Sequence, residues 1–298
     1  MEISLITDEI SADPETAFEL GLSWGVRDFE LRTVENNRVP DLSDYQKIRI
    51  KELVEEYGVR IIAISPGLFK CPYPGRARSR FSLQAFDHSL YQEWRTAGDL
   101  LKYQREELLP ASLAYAQQLG AKIVVIFSFA REPNSSGPVP DEIVETLQEA
   151  AKQAEDAGVR LVIEVENRFW ADTGQNTLEL LRRVNRPGLG VNWDPGNALE
   201  AGDLPFPVGY QAVLEYVRHV HFKDARKDGS RGFEYAIEGD VDWEGQIRAL
   251  LNDRYSGFIS VETHMRPRIR FAEASYQRLK RLIESARSLQ VRSDNPVQ

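Results

Sequence analysis

Val159-Arg160-Leu161-Val162-Ile163-Glu164-Val165-Glu166 is the stretch that decides how this chain folds. Val159, Leu161, Ile163 and Val165 share one parity, and Glu164 and Glu166 share the other. Successive strand residues point to opposite faces, so when the apolar set packs against surrounding helices the two glutamates point into a barrel. The next three strand-like runs repeat the pattern. Leu189, Val191 and Trp193 leave Asn192 and Asp194 inside; Val220 and Phe222 leave His219 and His221; Ile259 and Val261 leave Ser260 and Glu262. A packed barrel interior is mainly branched aliphatic, so charge turned inward at four neighbouring strand ends requires a partner.

Working outward, strand-like runs occur at 3–7, 26–31, 59–65, 122–128, 159–166, 188–194, 218–222 and 257–262. Between them lie segments with helical spacing, near 13–20, 43–57, 101–119, 177–184, 210–216, 243–251 and 272–289. In the segment after Pro140, Ile143, Leu147, Ala150, Ala151 and Ala154 share one face, and Gly158 supplies the stop. This alternation predicts an α/β fold, a single (β/α)₈ TIM barrel over residues 1–290, with two mononucleotide-type halves as the weaker alternative. Residues 66–100 read as an insertion after the third strand, on the catalytic face of such a barrel. With Arg76, Arg78 and Arg80 they form a candidate lid or a contact between copies of a homo-oligomer. Residues 291–298 read as a polar, frayed tail.

Composition narrows the function. With 298 residues, 42% hydrophobic and 28% charged, the chain can bury a sizeable core and does not read as disordered. Its net charge of −9 is the wrong sign for binding that relies on phosphate neutralisation, so no nucleic-acid partner is expected. The single cysteine, Cys71, rules out an intramolecular disulfide and any multi-cysteine metal site. No run approaches the roughly 18 apolar residues of a membrane span, and Met1-Glu2-Ile3-Ser4-Leu5 lacks a signal pattern. A soluble, cytoplasmic protein with no membrane partner is the expectation.

One divalent cation would satisfy the inward groups of all four strands. Three carboxylates and one imidazole make a hard, oxygen-rich set that suits Mn²⁺ or Mg²⁺ and is compatible with Co²⁺, Fe²⁺ or Zn²⁺. Parity alone leaves Glu164 or Glu166, and His219 or His221, open. A purely structural alternative pairs Glu164 with Arg168 and Glu262 with Arg266, and reads Asp194-Pro195-Gly196-Asn197 as a turn.

At these residues the chain resembles the sugar phosphate isomerase/epimerase superfamily, whose fold is the xylose isomerase-like barrel and whose members include ketose 3-epimerases and hydroxypyruvate isomerase. The resemblance rests on Thr7-Asp8-Glu9-Ile10-Ser11, Phe29-Glu30-Leu31-Arg32, Glu164-Val165-Glu166-Asn167, Trp170-Ala171-Asp172-Thr173-Gly174, Asn192-Trp193-Asp194-Pro195-Gly196-Asn197, His221-Phe222-Lys223-Asp224 and Val261-Glu262-Thr263-His264. It implies Glu164, Asp194, His221 and Glu262 as metal ligands. Gly158-Val159 sets the register that selects Glu164, and the His-Phe-Lys-Asp block selects His221, leaving His219 as a hydrogen-bonded interior residue.

The implied activity is a metal-dependent isomerisation or epimerisation of a small sugar, keto sugar or sugar phosphate through an enediolate. Glu164 and Glu262 would be the catalytic acid/base pair. Glu166, Asn197, Lys223 and Arg266 are candidates for substrate hydroxyls or a phosphate, and Trp170 and Phe69 for shielding the site. A lyase or dehydratase acting on a keto-inositol, keto acid or keto-glycoside is the alternative, and a non-catalytic sugar-binding or partner subunit the second. Pro195-Gly196-Asn197 stands where ketose epimerases carry a histidine after the metal-binding aspartate, and Trp170 replaces a second acid. DNA-repair endonucleases of this fold bind three zinc ions through many histidines, and the four here, His88, His219, His221 and His264, are too few.

Overall fold

The computed structural model describes residues 1–75, 96–131, 135, 137–229 and 232–294. Eight parallel strands close into a barrel: β1 (Glu2–Ile6), β2 (Asp28–Leu31), β3 (Arg60–Leu68), β4 (Ile123–Ile126), β5 (Arg160–Glu164), β6 (Leu189–Trp193), β7 (Val217–Phe222) and β8 (Phe258–Val261). Each strand pairs with its neighbours in sequence, and β8 closes on β1 with Phe258 opposite Glu2 and Val261 opposite Leu5.

Several of the helices between strands begin at polar caps. Asp13 caps Pro14–Trp24, Ser43 and Gln46 form a reciprocal capping box on Asp44–Tyr57, and Thr173 caps Gly174–Val184. Asp141–Asp156 buries one stripe that includes Ile143, Leu147, Ala150 and Ala154. That stripe meets the outward strand residues. Leu161, Ile163, Val165, Val191, Trp193, Val220, Phe222, Ile259 and Val261 all belong to the core between strands and helices, as their parity predicts. Trp193 also donates its indole N–H to Gln246 on the helix Trp243–Asn252 (2.8 Å).

Inside the ring the chemistry is polar. Ser4 Oγ meets Ser260 Oγ (2.8 Å), Ser260 Oγ meets His219 Nε2 (3.0 Å), and His219 Nε2 meets Glu30 Oε2 (2.9 Å). Ser65 donates to the other oxygen of Glu30. Ser4, Ser260, His219, Glu30 and Ser65 are thus linked in one buried hydrogen-bonded series, the condition for placing such groups inside a barrel.

Some boundaries differ from the sequence reading. β3 continues through Pro66-Gly67 to Leu68, so the segment read as an insertion from 66 starts within the sheet; a register shift against β4 and a φ of 78° at Gly67 absorb the proline. Arg76, Arg78 and Arg80 lie outside the described residues. The chain resumes with Thr96 capping Ala97–Tyr103, which runs through a π-helical turn, Gln104–Leu108, into Leu109–Leu119. The last helix, Arg268–Asp294, passes residue 290 because neither glycine nor proline interrupts it before Pro296.

Two hairpins have no counterpart in the sequence reading: Thr33–Val34 with Asn37–Arg38, and Ala225–Asp228 with Gly232–Tyr235. Arg226-Lys227-Asp228 is polar on both faces, so it carries no alternation to detect. No helix among the described residues is long and apolar enough to cross a membrane.

Candidate metal centre and active-site cleft

The C-terminal ends of β5 to β8 bring Glu164, Asp194, His221 and Glu262 together. One ligand-type atom from each lies within 4.8 Å of the others, and all four side chains are buried. Asp194 caps the short helix Pro195–Glu200, its Oδ1 accepting the Asn197 N–H at 2.9 Å. His221 Nδ1 faces Glu262 Oε2 (3.3 Å) and Glu164 Oε1 (3.7 Å), while its Nε2 meets both oxygens of Glu30 (3.3 and 3.2 Å). With the proton placed on Nε2 and donated to Glu30, Nδ1 presents a lone pair to the cluster, the carboxylate–imidazole arrangement that orients a metal-binding histidine.

A divalent cation fits this donor set. His221 Nδ1 and Asp194 Oδ2 are buried without a hydrogen-bond partner among the described residues, which is costly unless a ligand engages them. Lys223 Nζ lies 2.8 Å from both Asp194 Oδ2 and Glu262 Oε2; toward Asp194 it is a charge contact whose direction makes no hydrogen bond. That one ammonium leaves an acidic surplus. Burial pushes Asp194 up to about 7 against the pull of Lys223, and Glu262 and Glu164 add to the rise. Burial also opposes ionisation of Glu262, yet Lys223, His264 and His221 hold it well below the usual carboxylate range.

The remaining sequence candidates separate. Asn197 is buried and its Nδ2 reaches Glu164 Oε1 (3.3 Å), the Val165 carbonyl (3.0 Å) and Glu166 Oε2 (3.2 Å), tying the two glutamates together. Glu166 is half-buried at the cleft wall, 3.6 Å from Lys70 Nζ. Arg266 is exposed and is not among the residues lining the cleft. The arginine that reaches Glu262 is Arg32, with NH1 2.5 Å from Oε1, NH2 2.6 Å from Glu9 Oε1 and Nε 3.1 Å from Asp8. Trp170 and Phe69 are packed into the core, Phe69 against Phe129 at 4.8 Å, so neither shields the cleft.

Glu30, Arg32, Asp8, Glu9, His264 and Tyr235 were given no role from the sequence. Glu30 was within reach of the parity test, since Phe29 and Leu31 face the helices. Lys223 continues the inward parity of His219 and His221. Tyr235 is delivered by the hairpin and sits over His264 at 5.3 Å between ring centroids.

Asp8, Arg32, Lys223, Tyr235 and His264 line a cleft of about 470 Å³ together with Glu164, His221 and Glu262, with Phe127 and Phe169 as its apolar wall. Phe69, Phe129, Arg168 and His264, following β3, β4, β5 and β8, all hold left-handed backbone (φ 61, 63, 69 and 52°). Such conformations cost energy in non-glycine residues and concentrate around functional sites.

The chain matches the family described as xylose isomerase-like TIM barrel over residues 18–290. It is similar to the ketose 3-epimerase of Arthrobacter globiformis, 28% identical over 167 residues that cover 53% of this chain and 55% of the epimerase. It is also similar to the inosose dehydratase of Clostridium beijerinckii, 21% identical over 184 residues, 52% of this chain and 61% of the dehydratase. The chain thus spans little more than half the length of these curated relatives. The solved structure of an L-ribulose 3-epimerase covers 100% of both chains with a TM-score of 0.71 at 16% identity, a likeness of fold.

Proposed function

The chain belongs to the xylose isomerase-like TIM barrel family, and on that premise we propose that it is a divalent-metal-dependent isomerase or epimerase of a small keto sugar or sugar phosphate. The observation that carries the reading is the convergence of Glu164, Asp194, His221 and Glu262, three acids and an imidazole, all buried, with orphaned ligand atoms. This set suits Mn²⁺ or Mg²⁺ first. Bound there, the ion would polarise a substrate carbonyl and its neighbouring hydroxyl, making the adjacent C–H acidic.

Glu164 and Glu262 divide the acid/base work unequally. Glu262 has both oxygens engaged, Oε1 by Arg32 and Oε2 by Lys223, whereas among the described residues Glu164 accepts one hydrogen bond, from Asn197 at 3.3 Å. The less engaged carboxylate is the better placed base, so Glu164 takes the proton. Glu262 serves the other wall of the cleft, with the Lys223 ammonium hydrogen-bonded to it as the nearby proton source. Glu166, Asn197 and Lys223 are the polar groups poised for substrate hydroxyls. Phe127 and Phe169 exclude water on one side.

Incubating the metal-loaded protein with a panel of ketoses in D₂O tests this. Solvent deuterium should appear at the carbon beside the carbonyl; its absence across the panel, with metal bound, would sink proton transfer. A dehydratase is the second reading, favoured by the buried Lys223 ammonium, which can protonate a departing β-hydroxyl, and by the similarity to inosose dehydratase. Product mass separates the two, since epimerisation conserves it and dehydration removes one water.

A further inference from the structure

A second concavity, larger than the cleft, lies elsewhere on the barrel. A cavity of about 800 Å³ opens at the opposite end of the barrel, lined by Ile123, Arg160, Gly188, Val217 and Gly257 where five consecutive strands begin. Its volume is within the range of small-molecule sites.

Four cations face it: Lys122, Arg160, Arg218 and Arg254. None has a carboxylate partner among the described residues; Arg218 donates only to the backbone carbonyls of Glu215 and Val217 (both 2.9 Å). The two acids of the lining already have partners. Glu155 pairs with Arg186 and accepts the Gly188 N–H (2.8 Å), and Asp253 accepts the Tyr210 hydroxyl (2.9 Å). The arrangement is built into the fold at two points. Gly190 of β6 has no side chain, and a Cβ there would lie 2.7 Å from Arg218 Cγ, so the glycine lets Arg218 lie across the barrel floor. Arg254 is presented from left-handed backbone, φ 57°. Burial and the neighbouring Arg160 together lower the affinity of Arg218 for its proton, a sign of like charges crowded together.

Helix C-termini gather at this end of a (β/α) barrel and attract cations singly. That accounts for Arg218 on its carbonyls but not for Arg160 on a strand, nor for four cations around one hollow in a chain of net charge −9. We propose that this cavity binds a small, multiply charged phosphate anion of the diphosphate type, in a site separate from the cleft. Two linked phosphate groups offer oxygens to several guanidinium forks at once, a match that a single carboxylate lacks.

The test is calorimetric titration of the full chain, as purified, with sodium pyrophosphate at low ionic strength. Wild type is compared with a Lys122→Gln/Arg160→Gln variant and with Arg168→Gln in the cleft. Lys122 and Arg160 are exposed, so the double variant keeps its fold, checked by its melting curve. Heat from metal chelation is common to all three proteins and cancels. The expected result is one saturable site, weakened by about tenfold or more in the double variant and unchanged by Arg168→Gln. Absence of saturable binding, equal binding by the double variant, or loss of binding in Arg168→Gln would each overturn the proposal.

Discussion

The two ends of this barrel are built from the same eight strands and behave oppositely. At the C-terminal end, acids are buried inside the ring, backbone is held in left-handed conformations, and the surplus charge is negative. At the N-terminal end, cations stand at the rim of a larger cavity, most of them exposed and none ion-paired among the described residues. Chain direction is one source of the difference. Each helix starts near the end of a strand and finishes near the beginning of the next, so the positive ends of the helix dipoles favour acids above and the negative ends favour cations below. Asp194, which caps a helix and faces the acid cluster with its second oxygen, joins both effects in one side chain.

The largest way to break this contrast is to remove one acid at the upper end. Glu164→Gln should lower kcat by about 10²–10⁴-fold in whatever sugar assay proves active, while the melting temperature stays near wild type. A fall in both together would mean that Glu164 is structural. Next, Glu30→Gln leaves the four cluster residues intact but weakens the acceptor that orients His221. Manganese affinity, measured by titration, should drop by about 10–100-fold.

Asp194→Asn keeps the helix cap and removes one crowded charge. Because the folded protein raises the Asp194 pKa to about 7, the native state holds a proton that the unfolded chain releases, and stability is lost as pH climbs from about 4 to about 7. Without metal, the variant should therefore become more stable than wild type, on the order of 1–3 kcal/mol, as pH rises through that window and no further above it. Urea unfolding at pH 5 and pH 8 reads this directly.

At the lower end the expected effects are steric. A Cβ on Gly188 would lie 2.9 Å from the Ala151 carbonyl, and Gly188→Ala should cost about 1–3 kcal/mol in thermal unfolding. Smallest of all, Cys71 is fully buried with its thiol pushed up to about 12 by burial, so it should resist iodoacetamide at pH 8 until the protein unfolds.

Much of the upper end was readable because strand parity is a local rule. Glu164, Asp194, His221 and Glu262 each reveal their direction through two or three apolar neighbours, without knowledge of any other strand. The same rule would have found Glu30. It could not find Arg32, because the choice between Arg32 and Arg266 as the partner of Glu262 is made across 230 residues of sequence and no local pattern encodes it. Arg266 sits four residues from Glu262 yet points to solvent. Tyr235 was hidden for a different reason: its strand has only four residues, pairs with the polar run Arg226-Lys227-Asp228, and buries too little to leave a clear hydrophobic signature.

By itself, the sequence determined the alternation of strand and helix, the order of the strands, and the inward direction of the acids. These follow from periodicity and short connections, which act within a few residues at a time. Only the tertiary structure decided which charges meet. It seated Arg32 on three carboxylates, turned His221 by its contact with Glu30, moved Arg266 outside the cleft and gathered four cations around the opposite cavity. Ring closure brings β1 against β8 and sets the distances on which Coulomb attraction and hydrogen bonding depend, and those distances exist only once the barrel is closed.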